Sequence, residues 1–589
     1  MEQWFIASKR ADFNKIAADF HISPVLARLL RNRDLITEED IRIYLHGSLS
    51  DLPSPYLMKD IEKAAHIMRQ KIDQGARIRI ISDYDVDGVS SNYILWKGLT
   101  RCGARVDYRI PDRIEDGYGI NEHLISQAYE DGIDTIITCD NGIAAIEQIA
   151  YARKLGMTVV VTDHHEVPYD ASDGEITYHL PDADAVVNPK RQDCCYPYKN
   201  ICGAVVCYKL IEIIYELYGI DKTEMEAFLP MAALATVCDV MPLKGENRII
   251  VREGLARMPH TEIRGLQALM EANHLSDKKI SAYHLGFILG PCINASGRLK
   301  TAREAMELLI CQEHSQALQK AYDLVEINKE RKDMTKRGAE AALQYLEESG
   351  HSRDKVLVVF LPDCHESIAG IIAGRVKEHY NKPVFVLTRS KDGVKGSGRS
   401  IEAYSMYDEM TKIKDIFLKY GGHPMAAGLS LQEDRIEEFR ERLNRNTLLR
   451  EEDFVKKISI DIAVPIAYLS ENFIEELSLI EPYGNENKKP LFAQKRLKLH
   501  SLRVLGNSGR CIKLYVSDEG GTGMEALYFG ESDRFMQDIE DCYDKETLNR
   551  LMQGLPVRVY MTAAYYPQVN EWRGRRTIQI VIEHYRYEV

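Results

Sequence analysis

The sequence predicts a multidomain α/β protein completed by an all-β module, and three observations carry that prediction. Short β-branched runs alternate with helix-compatible segments between residues 77 and 162, and the same rhythm returns after residue 355. A proline-free stretch at 301–350, rich in Ala, Glu, Lys, Leu and Gln, separates the two. Beyond residue 456 the pattern changes to short strands and turns. At 589 residues the chain is too long for one hydrophobic core.

Taken in order, residues 1–73 are expected to be a helical segment, with Val25, Leu26, Leu29 and Leu30 at helical spacing. An α/β domain follows over 74–300. Its strands are expected at Arg77–Ser82 (RIRIIS), 134–139 (DTIITC) and Thr158–Thr162 (TVVVT), parallel and joined by crossover helices. Residues 301–350 form one or two long connector helices. A second α/β domain over 351–450 opens at 355–361 (KVLVVFL), passes through a helix at 368–379 and reaches 383–387 (PVFVL). Strands at 497–504, 511–516, 557–566 and 577–582 make 456–589 an OB-fold barrel.

Composition narrows the class. With 45% hydrophobic and 28% charged residues the chain reads as ordinary globular protein. No apolar run approaches the roughly 20 residues that span a bilayer. The first residues lack the regions of a signal peptide, so a cytoplasmic protein without membrane association is expected. The 12 cysteines form no repeated C-x-x-C, which argues against a zinc ribbon or a disulfide framework and for buried thiols. A net charge of −13 argues against indiscriminate coating of nucleic acid. It is compatible with a nuclease whose carboxylates hold metals.

The strongest chemical signal lies at three strand ends. Arg77–Ser82 runs into D-Y-D-V-D-G with Asp83, Asp85 and Asp87. The second strand ends in Asp140, Asn141 and Gly142, and the third in Asp163, His164 and His165. Open α/β sheets place their functional crevice at the carboxyl ends of strands, so these groups converge on one rim. Carboxylates with imidazoles suit Mn²⁺ or Mg²⁺. A pair of such ions, about 3.5–4 Å apart, is the known arrangement for in-line attack at phosphorus. A calcium loop is excluded, because the twelfth position counted from Asp83 or Asp85 is Ile94 or Trp96 rather than Glu.

D-H-H at 163–165 with the upstream triple Asp resembles the DHH phosphoesterase superfamily. A further superfamily motif, ATVCDVMPL at 235–243, offers Asp239 and is followed by Gly245, Glu246, Asn247 and Arg248. The resemblance implies Asp85, Asp87, Asp140, His164 and Asp239 as ligands of two Mn²⁺ or Mg²⁺ ions, with Asp140 bridging. It implies catalytic roles for His165, beside the scissile phosphate, and Asp83.

Other blocks resemble the RecJ subfamily. GPCINASGRL at 290–299 is similar to its G-P-R-I-N-A-A-G-R-L, with Cys292 for Arg and Ser296 for Ala. RIPDRIEDGYG at 109–119 matches another block. GSGRS at 396–400 and GGHPMAAG at 421–428 resemble the associated DHHA1 domain. PYGNENKKPLF at 482–492 and NEWRG at 570–574 resemble the subfamily's OB module. Ser82 stands where Gly is usual. Cys364, His365, Glu366 and Ser367 replace W-H-P-G, which leaves His365 without an assigned role.

The resemblance implies a metal-dependent 5′→3′ exonuclease specific for single-stranded DNA, acting in DNA repair and recombination. Single-strand-binding protein and a helicase are further partners by the same similarity, and a monomer is the default. A DHH phosphodiesterase of short oligoribonucleotides or cyclic dinucleotides, and an inactive DNA-binding scaffold, are the competing readings. By similarity Arg113, Arg298, Ser397, Arg399 and His423 surround the 5′-phosphate, where planar guanidinium forks match an oxyanion. In the C-terminal module eight Lys/Arg lie between Asn485 and Lys513. Tyr565, Tyr566 and Trp572 alternate with Arg573, Arg575 and Arg576, a pattern of single-strand binding by stacking beside cations.

Overall fold

Every residue from Ile78 to Ser82 is buried in the computed structural model, as a central parallel strand covered on both faces requires. The structure describes residues 2–113, 116–117, 119–172, 175–391, 393–506, 509–572 and 574–588. Strand Arg77–Ser82 pairs in parallel with Arg105–Arg109 on one side and Thr135–Cys139 on the other. Thr158–Thr162 and then Ala185–Val187 continue the sheet, also in parallel. All three expected strands are present. Arg105–Arg109 escaped the sequence reading because this edge strand, RVDYR, is charged, and Ala185–Val187 because it is only three residues long.

The expected connector consists of two helices, Arg303–Ile310 and the 36-residue His314–Ser349, about 54 Å long at the helical rise. The long helix is more than a linker. It packs against Arg264–Ala272 and Gly290–Leu299 toward its start and against Ala369–Tyr380 toward its end. It thereby fixes the second α/β domain against the first. That domain has a mixed five-stranded sheet in the order Phe417–His423, Ala426–Leu431, Gly393–Arg399, Val384–Ser390, Leu357–Phe360. Only the last two strands are parallel. These elements, from Leu52–Met241 and Ile250–Lys456, form one compact unit.

A second compact unit holds Glu2–Asp51, Pro242–Ile249 and Lys457–Val589. Its barrel closes because Phe492–Leu505 pairs with both Cys511–Ser517 and Tyr560–Trp572. Gly523–Phe529 and Arg575–Glu588 complete the wall. The N-terminal segment therefore differs from expectation. Helices Pro24–Asn32 and Glu38–His46 share one core with the barrel, where Leu26, Leu29 and Leu30 meet the cluster of Phe492, Phe535 and Tyr565. Short amphipathic helices cannot bury their stripes alone, and the barrel supplies the partner surface. Helix Ile61–Asp73 belongs instead to the first unit and packs on Gly203–Tyr218. Among the described residues no helix is long and apolar enough to cross a membrane, and every described cysteine is a free thiol.

Candidate metal centre and phosphate cleft

Three strand ends do meet. Asp85 caps helix Val86–Arg101, its Oδ1 accepting from the backbone N–H groups of Asp87 and Gly88 at 2.9 and 3.1 Å. Asp87, one residue into that helix, is buried and accepts from the N–H groups of Gly203 and Ala204 at 2.6 and 2.8 Å. Those donors open helix Gly203–Tyr218, whose dipole favours the carboxylate. Gly203 is required there, because a Cβ would lie 2.8 Å from the Cβ of Asp140. Asp140 follows its strand with φ 60°, a left-handed turn that aims the carboxylate inward. Asp239 caps the end of helix Leu229–Cys238.

These groups form three overlapping clusters whose ligand atoms lie within 4.8 Å of one another: Asp83, Asp85 and Asp140; Asp87, His164 and Asp239; Asp140, His164 and His165. Nε2 of His164 lies 3.0 Å from Asp140 and 3.6 Å from both Asp87 and Asp239. Burial pulls the His164 imidazolium down to about 4, so the ring is a neutral donor at physiological pH. Burial, then repulsion from Asp87, Asp85 and Asp83, holds Asp140 well above the usual carboxylate range. Asp83 is raised by burial and Asp85, and Asp239 is pushed up to about 8 by burial, Asp87 and Asp85.

The residues fit a metal centre. Among the described residues, Asp83 Oδ1, Asp239 Oδ2 and both His164 ring nitrogens are buried with no hydrogen-bond partner. Stranding such atoms costs about 1–3 kcal/mol each, and divalent cations would satisfy the carboxylate oxygens and one His164 nitrogen, the other nitrogen keeping the proton of the neutral ring.

Asp163, which carried no role in the sequence reading beyond its motif, positions its neighbours. Its Oδ1 accepts from the N–H groups of His164 and His165 and contacts His165 Nδ1 at 2.7 Å, while Oδ2 accepts from Ile143 N–H. Burial opposes ionisation of Asp163, but the His165 contact outweighs it and the carboxyl stays below its usual range. His165 is half-exposed. Burial would lower its pKa, yet Asp163 and the surrounding carboxylates raise it to about 9.

Beside this centre, within the same unit, lies a cleft of about 440 Å³ lined by Tyr84, Arg113, Ser367, Lys395, Ser397 and Lys419 among others. Arg113 lies 4.9 Å over the ring of Tyr84. Close packing of helix Gly290–Leu299 on Tyr84 needs Gly297, where a Cβ would lie 2.6 Å from the Tyr84 carbonyl oxygen. Arg298 ends that helix and donates to the Ser367 carbonyl at 2.7 Å. Burial, then repulsion by Arg113 and Arg331, pushes Arg298 down to about 10; burial and Arg113 likewise lower Arg399. Cations gathered beside a cleft favour negative charge there.

Arg298 and Arg399 each lie close enough to Arg113 to act on its charge, but of the three arginines Arg113 alone, with Ser397, lines the cleft. Lys395 and Lys419 were missed, although alternation in K-G-S-G-R puts Lys395 on the same face as Ser397 and Arg399. His423 is exposed at a strand end and does not line the cleft.

The departures from the motif pattern have local explanations. Ser82 accepts from Asn92 Nδ2 at 3.0 Å, and Cys292 is a buried thiol donating to the Ile288 carbonyl. His365 Nδ1 contacts Ser367 Oγ at 2.7 Å and its N–H at 3.3 Å, capping the turn before helix Ala369–Tyr380.

In the C-terminal unit one expectation is corrected. Tyr565 is fully buried, and its hydroxyl donates to the Val464 carbonyl at 2.5 Å. The bulge between Ala564 and Tyr565 turns the ring into the barrel, so it cannot stack on a base. Tyr566 instead carries Lys489, 3.2 Å from its ring centre. The basic stretch is partly neutralised: Arg496 pairs with Glu519, Lys513 with Glu525, and Arg576 with Glu471. Arg575 is exposed near the hairpin tip, while Arg573 and the side chain of Trp572 lie outside the described residues.

Comparison with known proteins agrees with this geometry. Residues 77–236 match the DHH family N-terminal domain, 353–447 the DHHA1 domain, and 460–584 the RecJ OB domain. The single-stranded-DNA-specific exonuclease RecJ of Dickeya dadantii is 34% identical over 92% of this chain and 92% of its own. The same-named protein of Escherichia coli is 31% identical over 96% of both. The crystal structure of RecJ in complex with Mn²⁺ from Thermus thermophilus superposes with a TM-score of 0.80 at 27% identity, covering 99% of this chain and 79% of that one. A Mg²⁺ complex of that protein gives 0.75, with 99% and 78% covered. Domain order, strand-end ligands and full-length identity converge, and the chain belongs to the RecJ family of DHH phosphoesterases.

Proposed function

We propose that this protein is a single-stranded-DNA-specific exonuclease that hydrolyses phosphodiester bonds from the 5′ end in DNA repair and recombination, using Mn²⁺ or Mg²⁺. The observation that carries the reading is the adjacency of a carboxylate–imidazole cluster to a cleft lined by cations. Relatives that match over nearly the whole chain are named as single-stranded-DNA-specific exonucleases, which supports the substrate class.

Asp83, Asp85, Asp87, Asp140, His164 and Asp239 would hold two divalent ions. When bound, such ions neutralise charge on the phosphoryl oxygens and sharpen water as a nucleophile. The chain's own residues do the rest. Asp163 orients His165 through Nδ1, so the opposite ring nitrogen faces outward as a proton donor for the leaving oxygen. Arg113, Arg298 and Arg399, with Ser397, grip a terminal phosphate, whose extra charge over an internal one selects the chain end. Polarity follows from that grip. The OB-domain match and the chain's length favour a polymer over dinucleotides.

The test is digestion of oligonucleotides labelled at one end, with Mn²⁺ and after chelation. Mononucleotide release from the 5′ end of single strands, abolished by chelator, is expected. Cleavage confined to dinucleotides, or release from the 3′ end, overturns the reading.

A further inference from the structure

The helical run 282–299 carries a surface feature that the proposed reaction leaves unused. Ser281 and His284 cap its start reciprocally, a π-helical turn follows at Leu285–Leu289, and helix Gly290–Leu299 completes it. Among its accessible positions, Tyr283, Phe287, Pro291, Asn294 and Arg298 recur every three or four residues and so share one side. Arg298, at the far end, belongs to the cation cluster of the cleft.

At the near end, Tyr283 is 62% and Phe287 66% exposed, and their rings stack at 5.1 Å with 25° between planes. Leaving two aromatic faces in water forfeits apolar burial. The run is seated on the helix that ends in Asp239. Cys238 Sγ donates to the Leu285 carbonyl at 3.5 Å, and Cβ atoms at Gly286 and Gly290 would lie 3.3 Å from Val237 Cγ1 and 2.3 Å from Cys238 Sγ. A stacked aromatic pair on a helix face that leads to a cleft-side arginine suits a polyanion with flat faces.

We infer that Tyr283 and Phe287 form a stacking platform for a nucleobase of the single-stranded substrate, several nucleotides from the end held at Arg298. The inference rests on the reading of the cleft as a terminal-phosphate site. The 11 to 15 residues between platform and Arg298 span about 16–22 Å at the helical rise. That is about five or six nucleotides at the stacked spacing of a strand, so a dinucleotide cannot reach the platform.

The test compares kcat/KM on 5′-phosphorylated DNA of 12 and 2 nucleotides for the whole protein and for Y283A/F287A. The expected result is a fall of about tenfold in the 12-to-2 ratio, the scale of one lost base stack. The variant Y283W/F287W restores the ratio, which separates stacking from misfolding. A 12-mer with an abasic nucleotide at the stacked position should lower the ratio in the wild type and not further in Y283A/F287A. An unchanged ratio in Y283A/F287A overturns the platform and leaves the pair as a contact for another protein chain. Failure of the wild type to cleave single-stranded DNA at all refutes the functional reading instead.

Discussion

His164 Nε2 approaches Asp140 Oδ1 to 3.0 Å, yet the contact lacks hydrogen-bond geometry, and both ring nitrogens are without a hydrogen-bond partner. Burial keeps that imidazole unprotonated at neutral pH. The pair therefore directs a nitrogen lone pair and a carboxylate oxygen into shared space, an arrangement that a bound cation, or in its absence a proton on Asp140, makes favourable.

Removing that oxygen should abolish catalysis. Asp140→Ala is expected to lower the single-turnover rate on 5′-phosphorylated single-stranded DNA by at least about a thousandfold, because metal charge stabilisation supplies several kcal/mol. Calorimetric titration with Mn²⁺ should show weaker binding. A variant that cleaves at the wild-type rate would dismiss Asp140 as a ligand.

Metal should stabilise the fold more as pH rises. The folded-state pKa of Asp239 is raised to about 8, and those of Asp83 and Asp140 are raised too, so the metal-free fold holds protons that the unfolded chain releases near pH 4. Stability of the metal-free protein from these groups is present below that pH and is lost as pH rises toward 8. Bound cations replace the protons. The Tm increment from Mn²⁺ should be larger at pH 8 than at pH 6; an increment that shrinks over this range contradicts the assignment.

Arg298→Ala and Arg399→Ala should each reduce the preference for 5′-phosphate over 5′-hydroxyl ends by about ten- to a hundredfold, the scale of a charge-assisted pair. Competition binding with the two oligonucleotides measures this. Equal loss for both ends would place these arginines on internal phosphates.

Asp163→Asn should leave Mn²⁺ affinity within a few-fold while lowering kcat about ten- to a hundredfold, because His165 loses the contact that orients it. Metal titration beside single-turnover kinetics separates the two effects.

Tyr565→Ala should destabilise the C-terminal unit by about 3–5 kcal/mol, the cost of emptying an aromatic core position. Denaturant unfolding measures it. Weaker DNA binding with unchanged stability would return Tyr565 to the surface role that its sequence neighbours suggested.

The catalytic rim was legible because strand ends are written locally. A β-branched run followed by Asp fixes both the strand and the place where its side chains emerge, so Asp85, Asp140 and His164 could be assembled from three separate stretches. Asp163 was read as part of a motif, but three of its four contacts are to backbone amides that no residue pattern reveals. The same holds for the Gly203 and Ala204 amides on Asp87.

In the barrel, composition misled. A run of tyrosines and arginines looks alike whether its rings face in or out, and the bulge at Ala564–Tyr565 made that choice. The sequence by itself determined which elements form, which residues stand at their ends, and hence the chemistry of the rim. Tertiary structure alone decided that residues 2–51 complete the barrel core, that Arg298 and Arg399 from distant segments come near Arg113 at the cleft, and which tyrosine is buried. Local propensity acts over a few residues, whereas burial and charge crowding depend on what packing brings from hundreds of residues away.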